Sequence, residues 1–92
     1  MTIVNPVNPD HYNIPMTGNP DLHRNLQWYA TADDKVLGVV VLDLIDKDYS
    51  WVMLTEDAEQ GPGFSACDMK HSLPSEEAAT IELHATMKRH TP

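Results

Sequence analysis

The sequence predicts an α+β fold, in which a four-stranded antiparallel meander is followed by one C-terminal helix packed on one face of the sheet. Three observations lead to this prediction. Four short runs of apolar and β-branched residues lie within residues 25–69 and are separated by polar turns. After Ser75, apolar residues recur at helical spacing. The length of 92 residues fits a single domain.

The chain divides into residues 1–24, an extended N-terminal arm, and residues 25–92, a single α+β domain. Three Asn-Pro pairs and an Ile-Pro pair interrupt the arm. Proline lacks a backbone donor and pushes the preceding residue towards extended geometry, so neither a helix nor a central strand suits this segment. Ile3, Val7 and Tyr12 are among the apolar residues scattered through it. An arm lying on the surface of the domain and a free tail both fit this pattern.

The predicted strands follow one another with short connections. The first, "NLQWYAT", alternates apolar and polar residues, as in a strand with two different faces. The second, "VLGVVVLDLI", is apolar on both faces, which is typical of a central strand. The strands are predicted at 25–31, 36–45, 49–55 and 64–69, and the connections at 32–35, 46–48 and 56–63.

The helix is predicted from residue 76 to residue 89. Ser75 is a suitable N-cap because its hydroxyl can accept a hydrogen bond from a free N–H of the first turn. Acidic residues begin the helix and basic residues end it, which matches the helix dipole. Ala79, Leu83 and Met87 are spaced four residues apart and form the stripe expected to pack on the sheet.

Turn length predicts which residues lie opposite each other in neighbouring strands. The turn at 32–35 places Trp28 opposite Val39, and the turn at 46–48 places Asp43 opposite Trp51. The face expected beneath the helix then carries Leu26, Trp28, Leu37, Val39, Val41, Ile45, Trp51 and Met53. The second face carries Tyr29, Val36, Val40, Leu42, Leu44, Val52 and Leu54.

One helix cannot cover both faces. An aliphatic side chain left in water forgoes roughly 1.5–3 kcal/mol, so we expect the N-terminal arm or another chain to cover the second face. The predicted interaction surface consists of Tyr29, Val40, Leu42, Val52 and Leu54. It implies a protein partner, most simply a second copy of the chain in a homodimer.

Net charge and cysteine content indicate which partners and which cellular location to expect. The formal net charge is −8, from 14 acidic and 6 basic residues. This balance disfavours direct nucleic-acid binding, which requires basic side chains, and docking to an anionic membrane. Cys67 is the single cysteine, so no intrachain disulfide is expected. No basic-then-apolar leader and no apolar run near ~20 residues is visible, which predicts a cytoplasmic protein.

The acidic residues from Asp46 to Asp57 resemble a calcium-binding loop only in part. The sixth position of such a loop requires glycine, and Trp51 stands there. The flanking segments are predicted strands instead of helices. Aspartates that bond their own backbone in a tight turn explain the pattern better. We therefore predict no calcium site.

Other candidate chemistry is weak. Cys67 and His71 are four residues apart, but no second close pair completes a metal site, so surface histidines are the simpler interpretation. A cysteine in a short apolar strand is more typical of a small core residue than of a nucleophile. Trp28 and Trp51 are expected in the core instead of stacking on a ligand. We predict no catalytic residue, no cofactor, no metal ligand and no enzymatic activity.

The chain resembles a group of short, uncharacterised proteins of proteobacteria and their phages. The resemblance rests on "NLQWYA", "VLGVVVLDLIDKDYSWVMLTED" and "SLPSEEAA". It runs from residue 25 to about residue 87 and excludes the N-terminal arm. What the resemblance implies is a bacterial or phage accessory protein, with no assigned activity and no catalytic residues.

Two functions remain open. The first is a non-enzymatic interaction or regulatory module that self-associates through the second sheet face. The alternative is an acidic inhibitor of phage type, which mimics nucleic acid and blocks a basic partner. A complex formed by the inhibitor should weaken steeply with salt, whereas an apolar dimer should not. The carboxylates available to the inhibitor are Asp33, Asp34, Asp46, Asp48, Glu56, Asp57 and Glu59.

Overall fold

The computed structural model describes residues 3–12, 21–56 and 63–90. These residues form an antiparallel sheet with strand order β1-β2-β3-β4-β5 and one C-terminal helix, α1. The α+β class is therefore confirmed. The elements are β1 (Val4–Val7), a 3-10 turn (Pro9–His11), β2 (His23–Thr31), β3 (Val36–Asp43), β4 (Tyr49–Glu56), β5 (Phe64–Leu73) and α1 (Glu76–His90).

The sheet has five strands, so the prediction of four was wrong. The additional strand is β1, which comes from the N-terminal arm and pairs antiparallel with β2. Val4 lies opposite Thr31, and Val7 lies opposite Trp28. Because β1 is at the edge of the sheet, Pro6 does not interrupt an interior ladder. The Asn-Pro pairs argued against a helix and a central strand, and β1 is neither; the prediction failed in not assigning an edge strand to the arm.

The helix begins where its capping residue predicts. The backbone N–H of Ala78 donates to Ser75 Oγ at 3.0 Å, which confirms Ser75 as the N-cap. Ala79, Leu83 and Met87 are fully buried, which confirms the apolar stripe. α1 packs mainly on β3 and β4.

Ser75→Ala should destabilise the fold by about 1 kcal/mol, because the N–H of Ala78 loses its side-chain acceptor. The free energy of unfolding from denaturant titration measures this loss. Ser75→Asp provides the control, since aspartate also caps well and should retain most of the stability. Equal stability of the alanine variant and the parent would contradict a capping role.

The register between β2 and β3 agrees with the prediction, but that between β3 and β4 does not. Trp28 lies opposite Val39 as expected. Trp51 lies opposite Val40 instead of Asp43. The register is displaced by three residues. Because side chains alternate between the two faces, a displacement by an odd number puts the side chains of β4 on the opposite face relative to those of β3 from the one predicted.

Aspartate hydrogen bonding explains the different β3–β4 connection. Asp43 Oδ1 accepts from the backbone N–H groups of Ile45 and Asp46, at 2.9 and 3.0 Å. The backbone of Asp43 also pairs with Asp48 and Lys47, and Lys47 has a positive φ of 60°. The turn is therefore built around Asp43, which had been assigned to the interior of a longer strand. These backbone donors, from Asp46 and then Ile45, hold the pKa of Asp43 below its usual value.

Each face of the sheet has its own buried cluster. The cluster beneath α1 contains Val36, Val40, Trp51, Met53, Leu73, Ala79, Leu83 and Met87. The cluster on the second face contains Trp28, Ala30, Leu37, Val39, Val41 and Leu54. Both tryptophans are core residues, as predicted. Trp28, Leu37, Val39 and Val41 were wrongly expected beneath the helix, because the helix covers the opposite face of β2 and β3.

Residues of the N-terminal arm pack on the second face. Val7 and Tyr12 lie against its cluster, as do Val52 and Phe64. The rings of Tyr12 and Phe64 meet edge to face, with centroids 5.9 Å apart. The Tyr12 hydroxyl donates to Asp34 Oδ1 at 2.7 Å, and this bond raises the pKa of Tyr12. The second face was expected to be covered by the N-terminal arm or by another chain. In the described part of the chain, residues of the arm cover part of it.

None of the helices in the described ranges has the length and apolar character needed to cross a membrane.

Candidate functional site

The five residues predicted as an interaction surface do not share one surface. Tyr29 and Val40 belong to the helix side of the sheet, and Val40 has 0% exposure. Leu42 lies two residues beyond Val40 and opposite Tyr49, which places it on the same side. Val52 and Leu54 lie on the second face, where Leu54 also has 0% exposure. A partner contact at these residues stays a prediction, but they cannot form one continuous patch.

β5 is the least covered element of the sheet. It is the last strand in the order β1-β2-β3-β4-β5, and β4 is the one described strand that pairs with it. Every residue in 66–72 is exposed, although regular strands usually bury alternate side chains. Met69 is the large apolar residue of this stretch and is 50% exposed. Within the described ranges no second strand pairs along the outer edge of β5, so this edge can accept another strand. The backbone N–H of Met69 donates to Asp68 Oδ1 at 2.9 Å.

The two ends of β5 are fixed to the body of the protein. Phe64 packs on the second face beside Tyr12. Leu73 is buried in the cluster beneath α1, with 7% exposure. The exposed middle of the strand is therefore held between a half-buried anchor, Phe64, on one face and a buried anchor, Leu73, on the other. This arrangement presents the edge in a defined position.

The middle of β5 carries two opposite charges on its helix side. Asp68 lies opposite Met53 and Lys70 lies opposite Trp51, and both partners in β4 belong to the cluster beneath α1. Lys70 Nζ forms an ion pair with Glu82 Oε1 at 2.8 Å. Met69, opposite Val52, points to the second face.

Pairing between β4 and β5 is regular from Asp68 to Lys70 and irregular on either side. Asp68 pairs with Met53, whereas Ala66 pairs with Leu54, so Cys67 is an extra residue in β5. A second register shift lies between Lys70 and Leu73, where Ser72 has a positive φ of 62°. The two irregularities bound the short regular segment.

Cys67 is exposed, so the prediction of a core residue was wrong. It lies at the bulge, within the stretch 66–72 in which every residue is exposed. Partial burial of the thiol raises the pKa of Cys67, Asp68 raises it further, and a hydrogen bond with Thr55 opposes both. A raised pKa keeps the thiol protonated at neutral pH, which disfavours a role as a nucleophile.

The strand geometry also separates Cys67 from His71. Four residues along a strand span about 13 Å, too far for two ligands of one metal ion. Within residues 3–12, 21–56 and 63–90, no three His, Cys, Asp or Glu side chains are close enough together to hold a metal ion. His23 Nε2 lies 3.8 Å from Asp43 Oδ2, and this contact joins β2 to β3.

The carboxylates assigned to an acidic inhibitor are partly engaged within the chain. Asp33 Oδ1 accepts from the Thr31 hydroxyl at 2.7 Å and from the Lys35 N–H at 3.1 Å, and these bonds lower the pKa of Asp33. Asp34 accepts from Tyr12. These two aspartates therefore stabilise the β2–β3 turn. Asp57 and Glu59 lie outside the described residues.

His84 is a titratable group that the sequence did not single out. Its ring packs edge to face on Tyr29, with centroids 4.4 Å apart. Its Nε2 is buried and has no hydrogen-bond partner among the described residues. Burial lowers the pKa of His84 below 6.5, and the charge of Lys88 lowers it further. The structure therefore favours a neutral imidazole between α1 and β2.

This lowered pKa predicts a loss of stability in acid. Above the unfolded-state pKa of about 6.5, His84 is neutral in both states and has no effect on the pH dependence. As the pH falls below that value, the unfolded chain binds the proton more readily, so the free energy of unfolding decreases. The decrease ends once the pH is below the folded-state pKa.

His84→Phe should reduce the decrease in the free energy of unfolding below the unfolded-state pKa of His84, because phenylalanine cannot bind a proton. The variant should keep the ring contact with Tyr29. Denaturant unfolding at a series of pH values provides the measurement. His11→Gln, at an exposed imidazole, controls for the loss of a histidine. An unchanged acid-side slope in the phenylalanine variant would contradict a neutral, partly buried His84.

Sequence reasoning missed the β5 edge because it ended this strand at residue 69. The polar residues at 70–72, which lay outside the predicted strand, continue an exposed strand as far as Leu73. The signal that was present is the apolar Leu73 after the polar stretch, which anchors the end of the strand in the core.

Comparison of the chain with models of known protein families, with curated proteins and with solved structures gave no match. The resemblance to short proteobacterial and phage proteins therefore stays a prediction.

Proposed function

We propose that this chain is a non-enzymatic protein-interaction module that self-associates, and that it does so through the outer edge of β5. The sequence prediction placed self-association on the second face of the sheet. The proposal moves it to the edge because Val40 and Leu54 are both fully buried within one chain. It also takes account of Val7 and Tyr12, which pack on the second face.

The observation that carries the proposal is the exposure of β5 over residues 66–72, where β4 is its one pairing strand among the described residues. A strand paired along one side presents a row of backbone donors and acceptors, and a second strand can add to it. Met69 gives this edge an exposed apolar side chain at its centre. Burial of Met69 would add an apolar contribution to the backbone hydrogen bonds.

Analytical ultracentrifugation over a concentration series tests the proposal. The parent chain should form a dimer in a concentration-dependent manner. Met69→Lys should shift the equilibrium towards the monomer, because added positive charge beside Lys70 disfavours strand addition. Ile81→Lys is the matched control, since Ile81 is also exposed and apolar, at 62%, but lies on α1. This control should dimerise like the parent.

Two outcomes would overturn the proposal. One is a parent that stays monomeric at all concentrations. The other is equal weakening by Met69→Lys and Ile81→Lys, which would place the contact elsewhere. A monomer that binds a basic protein with a steep dependence on salt would instead favour the acidic inhibitor.

A further inference from the structure

We infer that the strand bound at the β5 edge is β5 of a second copy, antiparallel and centred on Met69. This inference rests on the proposed function and adds the partner and the register. Two identical strands that extend one sheet are related by a twofold axis perpendicular to the sheet. The axis then passes between a residue and the same residue of the other copy. The register is therefore defined by naming that central residue.

Charge complementarity identifies Met69 as the centre. In this register, Asp68 of each copy lies opposite Lys70 of the other, so that two opposite-charge pairs form. Directly opposed residues lie on the same face of a sheet, and opposite charges in that position stabilise the pairing. Both residues already point to the helix side of β5. Within one chain, Asp68 Oδ1 accepts from the backbone N–H of Met69 at 2.9 Å and Lys70 pairs with Glu82, so each side chain stays on its face but turns towards the other copy to form the new pair.

The neighbouring registers lack this match. A centre at Asp68 places that carboxylate opposite its own copy, and a centre at Lys70 places two ammonium groups together. Like charges directly opposite each other destabilise a strand pair. Met69 is also next to the midpoint of Phe64–Leu73, so its register pairs nearly the whole strand. A register centred on Asp68 would overlap equally well, so the charge pattern decides between the two.

The helices do not obstruct this arrangement. Both copies of α1 lie on the same face of the joined sheet, and each packs mainly on β3 and β4. A helix above the β3–β4 pair is about four strand spacings from its equivalent in the other copy, or roughly 19 Å. This exceeds the helix diameter of about 10–12 Å. The second β5 therefore has room beside the first.

The irregular pairing around Met69 restricts the interface. The segment from Asp68 to Lys70 is regular, and a register shift lies on each side of it. Bulges of this kind hinder the addition of unrelated strands. The two copies carry the same irregularities, related by the twofold axis. The central three residues are the part that pairs regularly, so we expect a weak and reversible dimer.

Complementary charge reversal tests the register. Asp68→Lys alone gives two pairs of positive charges, and Lys70→Asp alone gives two pairs of negative charges. Each variant should therefore show a dissociation constant for its own dimer at least about tenfold higher than the parent. An equimolar mixture of the two variants should recover dimerisation, because both cross-strand pairs then have opposite charges. Sedimentation of the separate and mixed variants measures this effect.

Glu82→Gln is the control for the ion pair within each chain. It removes the partner of Lys70 on α1 but leaves the proposed cross-strand pairs unchanged, so dimerisation should stay near the parent level. Circular dichroism should show the same fold in all variants, because Asp68 and Lys70 are exposed. A loss of dimer in the control equal to that in Lys70→Asp would overturn the assigned role of Lys70.

Cross-linking gives an independent measurement. Met69→Cys in a Cys67→Ser background should form a covalent dimer on mild oxidation, because directly opposed Cα atoms are about 4.5–5.5 Å apart. The parent should not form a covalent dimer on mild oxidation. In this register its two Cys67 residues are four positions apart, or about 13 Å along the strands, which is too far for a disulfide. Rapid cross-linking through Cys67 would overturn the register.

The outcomes distinguish this inference from the proposed function. A parent dimer that neither charge variant weakens, and that does not cross-link through position 69, overturns the register but retains self-association. A parent that is monomeric throughout overturns both. Recovery in the mixture together with cross-linking through position 69 supports both.

Discussion

Leu83→Ala should destabilise the protein by about 2–5 kcal/mol, the cost of removing a fully buried leucine and leaving a cavity. Leu83 has 0% exposure and is a member of the cluster between α1 and the sheet. It lies above Gly38 of β3, where an added Cβ would stand 2.7 Å from Leu83 Cδ1. Denaturant unfolding followed by circular dichroism measures the free energy of unfolding. The midpoint should fall while the slope stays constant.

Ile81→Ala is the matched control on the same helix. Ile81 is 62% exposed, so the same kind of truncation should change the free energy of unfolding by no more than ~0.5 kcal/mol. A small effect at Leu83, or an equal effect at both positions, would show that a different face of α1 packs on the sheet.

The helix was predicted well because its signals are local. Ser75 caps the first turn through a bond to a residue three positions away. Ala79 and Leu83 are separated by one turn, so their common face follows from helix geometry alone. Neither inference depends on where the remainder of the chain lies. The prediction of residues 76–89 therefore agrees with the observed helix from Glu76 to His90 to within one residue.

The sheet was predicted less well because its register depends on the hydrogen bonds of a turn. Asp43 belongs to a turn that its own carboxylate organises, and the apolar pattern at 36–45 did not reveal this. The resulting displacement by three residues separated Val40 from Leu54 in the candidate surface. The position of β1 depends on pairing with β2, distant in sequence, and no local pattern predicts that contact.

Gly38→Ala should destabilise the protein by about 1–3 kcal/mol, the usual range for overpacking a core. A Cβ at this position would lie 2.7 Å from Leu83 Cδ1 and 2.8 Å from Met87 Sδ. Both neighbours are fully buried side chains, so the added methyl group forces them to shift within a closely packed cluster. In an open strand the same substitution would be favourable by roughly 0.5–1 kcal/mol, because glycine is entropically costly there. A stabilised variant would therefore contradict the close approach of α1.

The two substitutions should compensate each other when combined. Leu83→Ala removes the δ-carbons that stand 2.7 and 3.0 Å from the new Cβ at position 38, and leaves Met87 Sδ as the remaining close neighbour. Methionine is unbranched and adapts readily to irregular space, so the added methyl group can occupy part of the cavity. We expect the double variant to be more stable than the sum of the single effects predicts, by about 0.5–3 kcal/mol. A double-mutant cycle from denaturant unfolding measures this coupling. Additivity within about 0.3–0.5 kcal/mol would mean that Leu83 and Gly38 do not share the same space, and that α1 lies further from β3 than these distances indicate.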